Sequence, residues 1–507
     1  MISFMRAVAF GTLAALAAGC TFGPDYERPA APAQASYKEL AGEAQPEGWK
    51  VAEPADTADK GAWWAVFDDP LLDALLRQVE VSNQTLAADE AAFRQASALA
   101  NQTRAGLYPT ITLDGQIRRS SSNSGSRGFG TVTGAGTTPG STVTFASGGG
   151  SDSAQTRYQP SLGASWDLDV WGRIRRTIES DVASAQASAA DLAAARLSAQ
   201  AELATDYFQL RSLDEQKRIL DDAATAYERT LTITRNLYQW GVGTRGDVAQ
   251  AEAQLESTRA QAIGVGVQRA QFEHAIAVLA GMPPADLAIA PAALPEAPAP
   301  VPAGLPSVLL ERRPDIAAAE RRMAAASAQI GAARAAYFPD ITLSSSVGFA
   351  ATALSSLFDW SNLVWSATLL ASQTLIDGGA RTAQVEQALA GWDQAVANYR
   401  QTTLAGFQDV EDQLSSLRIL ARQAAAQDRA VAAAREAERL ELSQYKAGTV
   451  AFTSVVTAQQ TALTNEQTAL GIRRDRFTAT VALIRALGGG WQETELPATI
   501  GRIYPSL

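Results

Sequence analysis

The chain repeats itself at a fixed interval, and this repetition limits its architecture more than any other feature. Tyr238, Gly241 and Gly281 recur as Tyr445, Gly448 and Gly488 with one common offset. The stretches YQWGVGTRGDV (Tyr238 to Val248) and YKAGTVAFTSV (Tyr445 to Val455) therefore read as two versions of one turn. AGLYPTITL (Ala105 to Leu113) and AAYFPDITL (Ala335 to Leu343) form an earlier pair at a larger offset. The additional residues of the first copy fall in a Ser/Gly-rich stretch from Ser120 to Gly150, which reads as an enlarged hairpin loop. Between the copies the chain is dense in Pro and Ala and cannot continue a helix.

Each copy opens, after its Pro, with two segments of alternating polarity. Tyr158, Leu162, Ala164, Trp166 and Leu168 alternate with Gln159, Ser161, Gly163, Ser165 and Asp167. Ile111, Leu113 and Ile117 alternate with Thr112, Asp114 and Gln116, and Ile341, Leu343, Val347 and Phe349 with Thr342, Ser344, Ser346 and Gly348. Leu363, Trp365, Ala367 and Leu369 supply the fourth segment, where Leu370 interrupts the polar side. A period of two gives a strand with one apolar and one polar face. Such strands suit a small sheet on a soluble core or the wall of an outer-membrane barrel. After the N-terminus no run of about 18 apolar residues occurs, so a membrane crossing would have to be a barrel. Four strands cannot enclose a lumen, so several chains must share one.

The remainder reads as long helix. No proline interrupts Gly172 to Tyr238 or Arg381 to Tyr445, and each stretch could reach about 100 Å at the rise of an α-helix. Val385, Leu389, Trp392, Val396 and Tyr399 recur at coiled-coil spacing. Shorter helices are expected over Ser82 to Leu107, Asp247 to Ala280, Asp315 to Tyr337 and Ser454 to Leu487, so that two short helices end to end match one long one. A hydrophobic content of 47% with 19% charged residues suits packed helices, and a net charge of −11 argues against a nucleic-acid partner.

Enzyme chemistry finds little support. The single histidine, His274, lies in FEHAIAVLAG on an expected helix without a partner constellation, and reads as solvent-facing or packing. There is no phosphate-binding loop, nucleophile elbow or paired set of metal ligands, and the glycines of GVGT and LGGGW read as helix ends.

Five motifs in order carry a family resemblance: GCTFGPDYERP (Gly19 to Pro29), WWAVFDDPLLDALL (Trp63 to Leu76), LLERRPDIAAAE (Leu309 to Glu320), YFPDITL (Tyr337 to Leu343) and ALGGGW (Ala486 to Trp491). The sequence resembles outer membrane factor lipoproteins of the NodT/OprM type, relatives of TolC. The resemblance implies a mixed α and β membrane protein. Each chain would give four strands to a trimeric 12-strand β-barrel, continued by a long periplasmic α-helical coiled-coil barrel. It implies a passive efflux duct in the outer membrane of a Gram-negative bacterium. A periplasmic adaptor and an inner-membrane pump of the resistance-nodulation-division class would serve it. The polar strand faces would line a water-filled pore, whose acidic charge would bias traffic. A duct for type I protein secretion and a non-conducting lipoprotein tether are the alternatives.

On this reading residues 1–19 are a signal peptide, 20–62 a lipid-anchored extension, 63–281 the first repeat, 282–306 the linker, 307–490 the second repeat and 491–507 a tail. Strands are expected near 110–119, 157–168, 340–351 and 363–375, with the long loop at 120–156. The resemblance places adaptor docking at Tyr238, Gly241, Gly243, Thr244, Tyr445, Gly448 and Thr449. It places the periplasmic gate at Thr453, Thr457 and Gln460, where relatives often carry an apolar ring, an Asp and a basic residue. Neutral hydroxyls and amides at those positions would close the gate with little dependence on salt or pH. Asp247 holds the related place in the first copy and is expected to cap its own helix or touch the adaptor.

Cys20 is the only cysteine, so the chain is not stapled by an internal disulfide. It ends a short apolar run flanked by Arg6 and by the small residues Ala17, Ala18 and Gly19, which looks like a lipobox with Ala17 where Leu is usual. Thr21, in place of Asp, fits sorting to the outer membrane. The covalent lipid on Cys20, palmitate among its acyl chains, is the only attached group expected; no other cofactor and no metal is. Cys20→Ser should abolish the acyl mass in intact mass spectrometry while exported protein still inserts, since acyl chains supply an anchor. Cleavage elsewhere with an unmodified Cys20 would overturn the assignment.

Overall fold

The computed structural model describes residues 23–32, 37–40, 62–121, 154–298 and 313–489. Cys20, the signal segment, the loop interior from 122 to 153, part of the linker and the C-terminal tail lie outside the described residues. The described residues divide into two compact units, one drawn from 102–178 and 330–386, the other from 25–101, 179–329 and 387–489.

The first unit is built on one antiparallel sheet of strands β1 (Thr110–Ser121), β2 (Ala154–Asp167), β3 (Asp340–Phe349) and β4 (Leu363–Ser372), in that order. Its register sorts the alternation of the sequence into two faces. Leu113 pairs with Leu162, Leu162 with Val347 and Val347 with Trp365. A second apolar row joins Trp166, Leu343 and Leu369. The opposite face carries the rows Thr112, Gly163, Ser346, Ser366 and Thr110, Ser165, Ser344, Thr368. Shifting any strand by one residue would exchange its faces, so the pattern fixes the register. Leu113, Ile117 and Trp365 are more than 70% exposed, an arrangement that water does not favour. Leu370, on the polar side opposite Thr342, is exposed too, as the broken alternation implied.

The sheet ends are tied to the helix starts. Trp166 donates its indole N–H to the Leu107 carbonyl at 2.9 Å, and Trp171 stacks on Phe338 and donates to the Pro339 carbonyl. Asp169 accepts the backbone N–H groups of Ile174 and Arg175 and the Arg175 guanidinium. Asp377 does the same for Gly379 and Arg381. One carboxylate thus caps the start of each long helix and braces it with an arginine, in each half of the sequence.

The helices are α1 (Pro70–Ser82), α2 (Gln84–Ala105), α3 (Arg173–Gln239), α4 (Arg245–Leu279), α5 (Pro314–Ala335), α6 (Ala380–Lys446) and α7 (Phe452–Ala486). Their lengths pair across the halves: 67 residues for α3 and α6, 35 for α4 and α7, 22 for α2 and α5. None is long and apolar enough to cross a membrane. The helix expected from Ser82 to Leu107 runs from Gln84 to Ala105, and α1, which was not expected, precedes it across Asn83. Asn83 accepts the N–H groups of Thr85 and Leu86 and donates to the Leu279 carbonyl at 2.7 Å, so its side chain starts α2 and ties it to the end of α4.

The core of the second unit joins Leu72, Leu76 and Val79 of α1, Leu203, Phe208 and Leu210 of α3, Ile276 of α4 and Phe477 and Val481 of α7. Asp69 caps α1 through Leu71 and Leu72 and accepts the Tyr207 hydroxyl. Tyr207 in turn accepts from Arg211, which donates to the Ala290 carbonyl, while Asp214 accepts from Arg269 and from the Ala292 N–H. Glu273 pairs with Arg269 and accepts the Ile289 N–H at 2.6 Å. This network fastens the Pro/Ala-rich linker, whose Ile289 and Leu294 are buried. An N-terminal strap follows another route: Arg28 reaches the Tyr399 hydroxyl and Glu320, and Glu411 accepts the Lys38 and Glu39 N–H groups beside a buried Tyr37.

Gly281 has φ +71°, and a Cβ there would lie 2.0 Å from the Ser82 carbonyl oxygen. Gly241 has φ +76° with nothing within 4 Å of such a Cβ. Gly281→Ala should lower the helical melting temperature far more than Gly241→Ala. The second change costs only left-handed strain, about 1–2 kcal/mol, and the first adds a backbone clash. Equal melting temperatures would overturn the packing argument.

Candidate functional site

The two turns that close α3–α4 and α6–α7 share one geometry. The Gly241 N–H bonds to the Tyr238 carbonyl and the Val242 N–H to that of Leu237; the Gly448 N–H bonds to the Tyr445 carbonyl and the Thr449 N–H to that of Gln444. Both are Schellman closures around a glycine of positive φ, +76° and +75°. The sequence-expected turn residues are thus brought together within each turn.

Their side chains then diverge. In the first turn Tyr238, Trp240 and Val242 are exposed, Trp240 at 83%. In the second, Tyr445 is buried against Phe452 with ring centroids 5.3 Å apart, in a cluster with Tyr227, Leu231, Leu255 and Val455. Gly243 and Thr244 lead into α4, where Thr244 accepts the Asp247 N–H at 3.1 Å and Asp247 accepts the Thr244 N–H at 3.0 Å. Asp247 therefore caps its own helix. Thr449 instead donates its hydroxyl to the Gln444 carbonyl, and α7 starts at Ala451 without a side-chain cap.

The residues assigned to the gate lie on one exposed stripe of α7. Thr453, Thr457 and Gln460 are exposed, while Phe452, Val455, Val456 and Gln459 are buried. Thr457 donates to the Thr453 carbonyl and Thr461 to that of Thr457, so these hydroxyl protons are used within the helix. Gln460 donates across to the Gln254 side chain of α4 at 2.9 Å. Its neighbour Gln459 donates to Thr230 of α3, and its carbonyl accepts the Tyr227 hydroxyl. Sequence reasoning missed Gln459 and Gln254. The available signal was a glutamine at an apolar position of the stripe Val455, Val456, Gln459, Ala462, Leu463.

Farther along α7 a charged contact appears: Arg435 of α6 pairs with Glu466, while within α3 Arg218 pairs with Glu215 and Asp222. Burial, and then the Glu466 carboxylate, pushes the Glu438 carboxyl up. His274 is exposed, and among the described residues no group of side chains forms a metal site.

A sheet with one apolar and one polar face, whose strands lead into paired long helices closed by matching turns, defines a channel-type outer membrane protein. The family described as "Outer membrane efflux protein" matches residues 75–282 and 305–489, and the chain belongs to that family. It is 33% identical over 460 residues to the pyoverdine export outer membrane protein OpmQ of Pseudomonas aeruginosa, covering 89% of this chain and 92% of that one. It is 29% identical over 483 residues to the probable efflux pump outer membrane protein TtgC of Pseudomonas putida, covering 94% and 93%. The solved structure of the outer-membrane channel OprN superposes with a TM-score of 0.80 at 30% identity, covering 93% of this chain and all of that one. The protein is an outer membrane exit duct for efflux.

Since Cys20 is the only native thiol, Gln254→Cys/Gln460→Cys in a Cys20→Ser background should be bridged by a flexible bifunctional maleimide that spans the reach of the two glutamine side chains. Absence of the bridge in the folded protein would contradict the observed contact between α4 and α7.

Proposed function

We propose that three copies of this chain close one twelve-stranded barrel and form the exit duct of a tripartite efflux system for small molecules. The observation that carries the reading is the single sheet with two unpaired edges, β1 and β4, and an exposed apolar face. Backbone groups on such edges cannot be left unpaired in lipid, so neighbouring copies must supply partners. The polar rows of serine and threonine then line the pore. The matched helix lengths support two copies of one unit, and their helices continue the wall as a periplasmic barrel.

In this assembly a periplasmic adaptor docks on the turns at 238–244 and 445–449, and an inner-membrane pump of the resistance-nodulation-division type supplies the energy. Trp240 makes the first turn the stronger anchor, because an exposed tryptophan on a rigid turn can bury a large area at small entropic cost. OpmQ is named for pyoverdine export and TtgC for an efflux pump, which supports small organic cargo over secreted protein. The stripe Thr453, Thr457 and Gln460 forms the resting constriction, and the lipid on Cys20 anchors the N-terminus in the outer membrane.

Purified protein should require detergent, give a trimer mass by light scattering and produce discrete conductance steps in a planar bilayer. A monodisperse monomer soluble without detergent would refute the shared barrel, and a stable trimer that never conducts would leave a tether. Thr457→Asp should add divalent-cation block and pH dependence to the conductance, because it places unpaired carboxylates around the constriction. If strong divalent block is already present, is abolished by Asp247→Asn and ignores Thr457, then α4 lines the constriction instead.

A further inference from the structure

The polar face of the sheet changes character toward the β1–β2 hairpin. From the helix end it carries Thr112 opposite Gly163, Asp114 opposite Ser161, Gln116 opposite Gln159 and then Arg118 opposite Arg157. Both arginines are exposed, and neither has a carboxylate partner among the described residues. The nearest acid on their face of β1, Asp114, accepts the Thr112 hydroxyl and lies four residues away, about 13 Å along a strand. Like charges directly opposite on one sheet face disfavour each other. The register makes Arg118 and Arg157 direct neighbours on this face, with the amides of Gln116 and Gln159 in the next row, and two adjacent guanidiniums can share one bridging oxyanion through their forked N–H groups.

We infer that Arg118 and Arg157 form an anion-binding pair at the hairpin end of the pore, one that admits cargo bearing phosphate or carboxylate groups. The inference rests on the duct reading, in which three chains bring three such pairs to one mouth. Its sign opposes the net charge of −11, which taken alone would favour cations throughout the pore. The facing of the strands separates two sources of oxyanion. Arg119 follows Arg118 but points to the apolar side with Ile117 and Leu113, where a lipid headgroup would meet it. A solute in the pore meets the pair.

The test is planar-bilayer conductance of the full trimer with tripolyphosphate added on the hairpin side. Wild type, Arg118→Gln/Arg157→Gln and Arg119→Gln are compared; glutamine keeps an exposed strand position polar and leaves the register undisturbed. Tripolyphosphate should block the wild type and Arg119→Gln alike, and the double variant should need at least about tenfold more for the same block. The reversal potential in a KCl gradient should also move toward cation selectivity in the double variant alone. Unchanged block and selectivity in a conducting double variant would overturn the pair and leave the duct intact. A loss in Arg119→Gln as large as in the double variant would assign the anion to the lipid side. Silence of all three proteins, the wild type included, would overturn the duct reading and this inference with it.

Discussion

The rest of the molecule depends on hydrogen bonds that one chain cannot make. Four strands in the order β1 to β4 leave a row of N–H and C=O groups at each edge, and the face beside those rows is Leu, Ile, Val and Trp. In water the edges could be solvated but the face could not; in lipid the face is satisfied but the edges are not. The proposed ring of copies would meet both demands. It would also turn the face of Ser344, Ser346, Ser366 and Thr368 inward to water.

The motifs that carried the family resemblance are the joints of the fold. In WWAVFDDPLLDALL the two indoles donate to Gln200 and Asp73, Asp69 caps α1 and anchors Tyr207, and Pro70 occupies the first helical position. In the RRPDI segment Arg313 binds Asp315, Asp409 and the Ala486 carbonyl. In GPDYERP Tyr26 and Arg28 both reach Glu320. Such residues fix angles between segments far apart in the chain, and few other side chains could replace them.

This separates what was legible in the sequence from what was not. The strands were readable because a period of two is local, and they begin and end within a few residues of expectation. The long helices were readable because proline is absent and the glycines after Tyr238 and Tyr445 mark their ends. Helix α1 was not read, and the tie of Asn83 to the Leu279 carbonyl was hidden, since sequence proximity cannot reveal it. The network from Asp69 through Asp214 to Glu273 and the strap of Arg28 and Tyr37 were hidden for the same reason. At the turns the shared backbone closure was visible, whereas the burial of Tyr445 against the exposure of Tyr238 came from packing with α3 and α4.

Divergence of the two turns gives the following helices different restraints. The capping box of Thr244 and Asp247 fixes α4 locally at its first turn. Without a side-chain cap, α7 is held instead by Phe452 in the apolar cluster and by Gln459 and Gln460 on α3 and α4. Local caps survive any rigid movement of a helix, whereas tertiary contacts do not, so the first turn of α7 depends on its neighbours where that of α4 does not. Near the start of α7 those contacts are apolar or join uncharged side chains. At Glu438 packing is linked to a proton: its carboxyl is raised by burial and by Glu466, so the packed arrangement of α6 and α7 binds a proton more tightly than a separated one. Acid therefore favours packing there, and the advantage is lost as pH rises through the raised value. Salt would weaken the Arg435–Glu466 pair more than the glutamine contacts, because screening acts on charge. The end of α7 at the turn and its middle thus answer to different conditions.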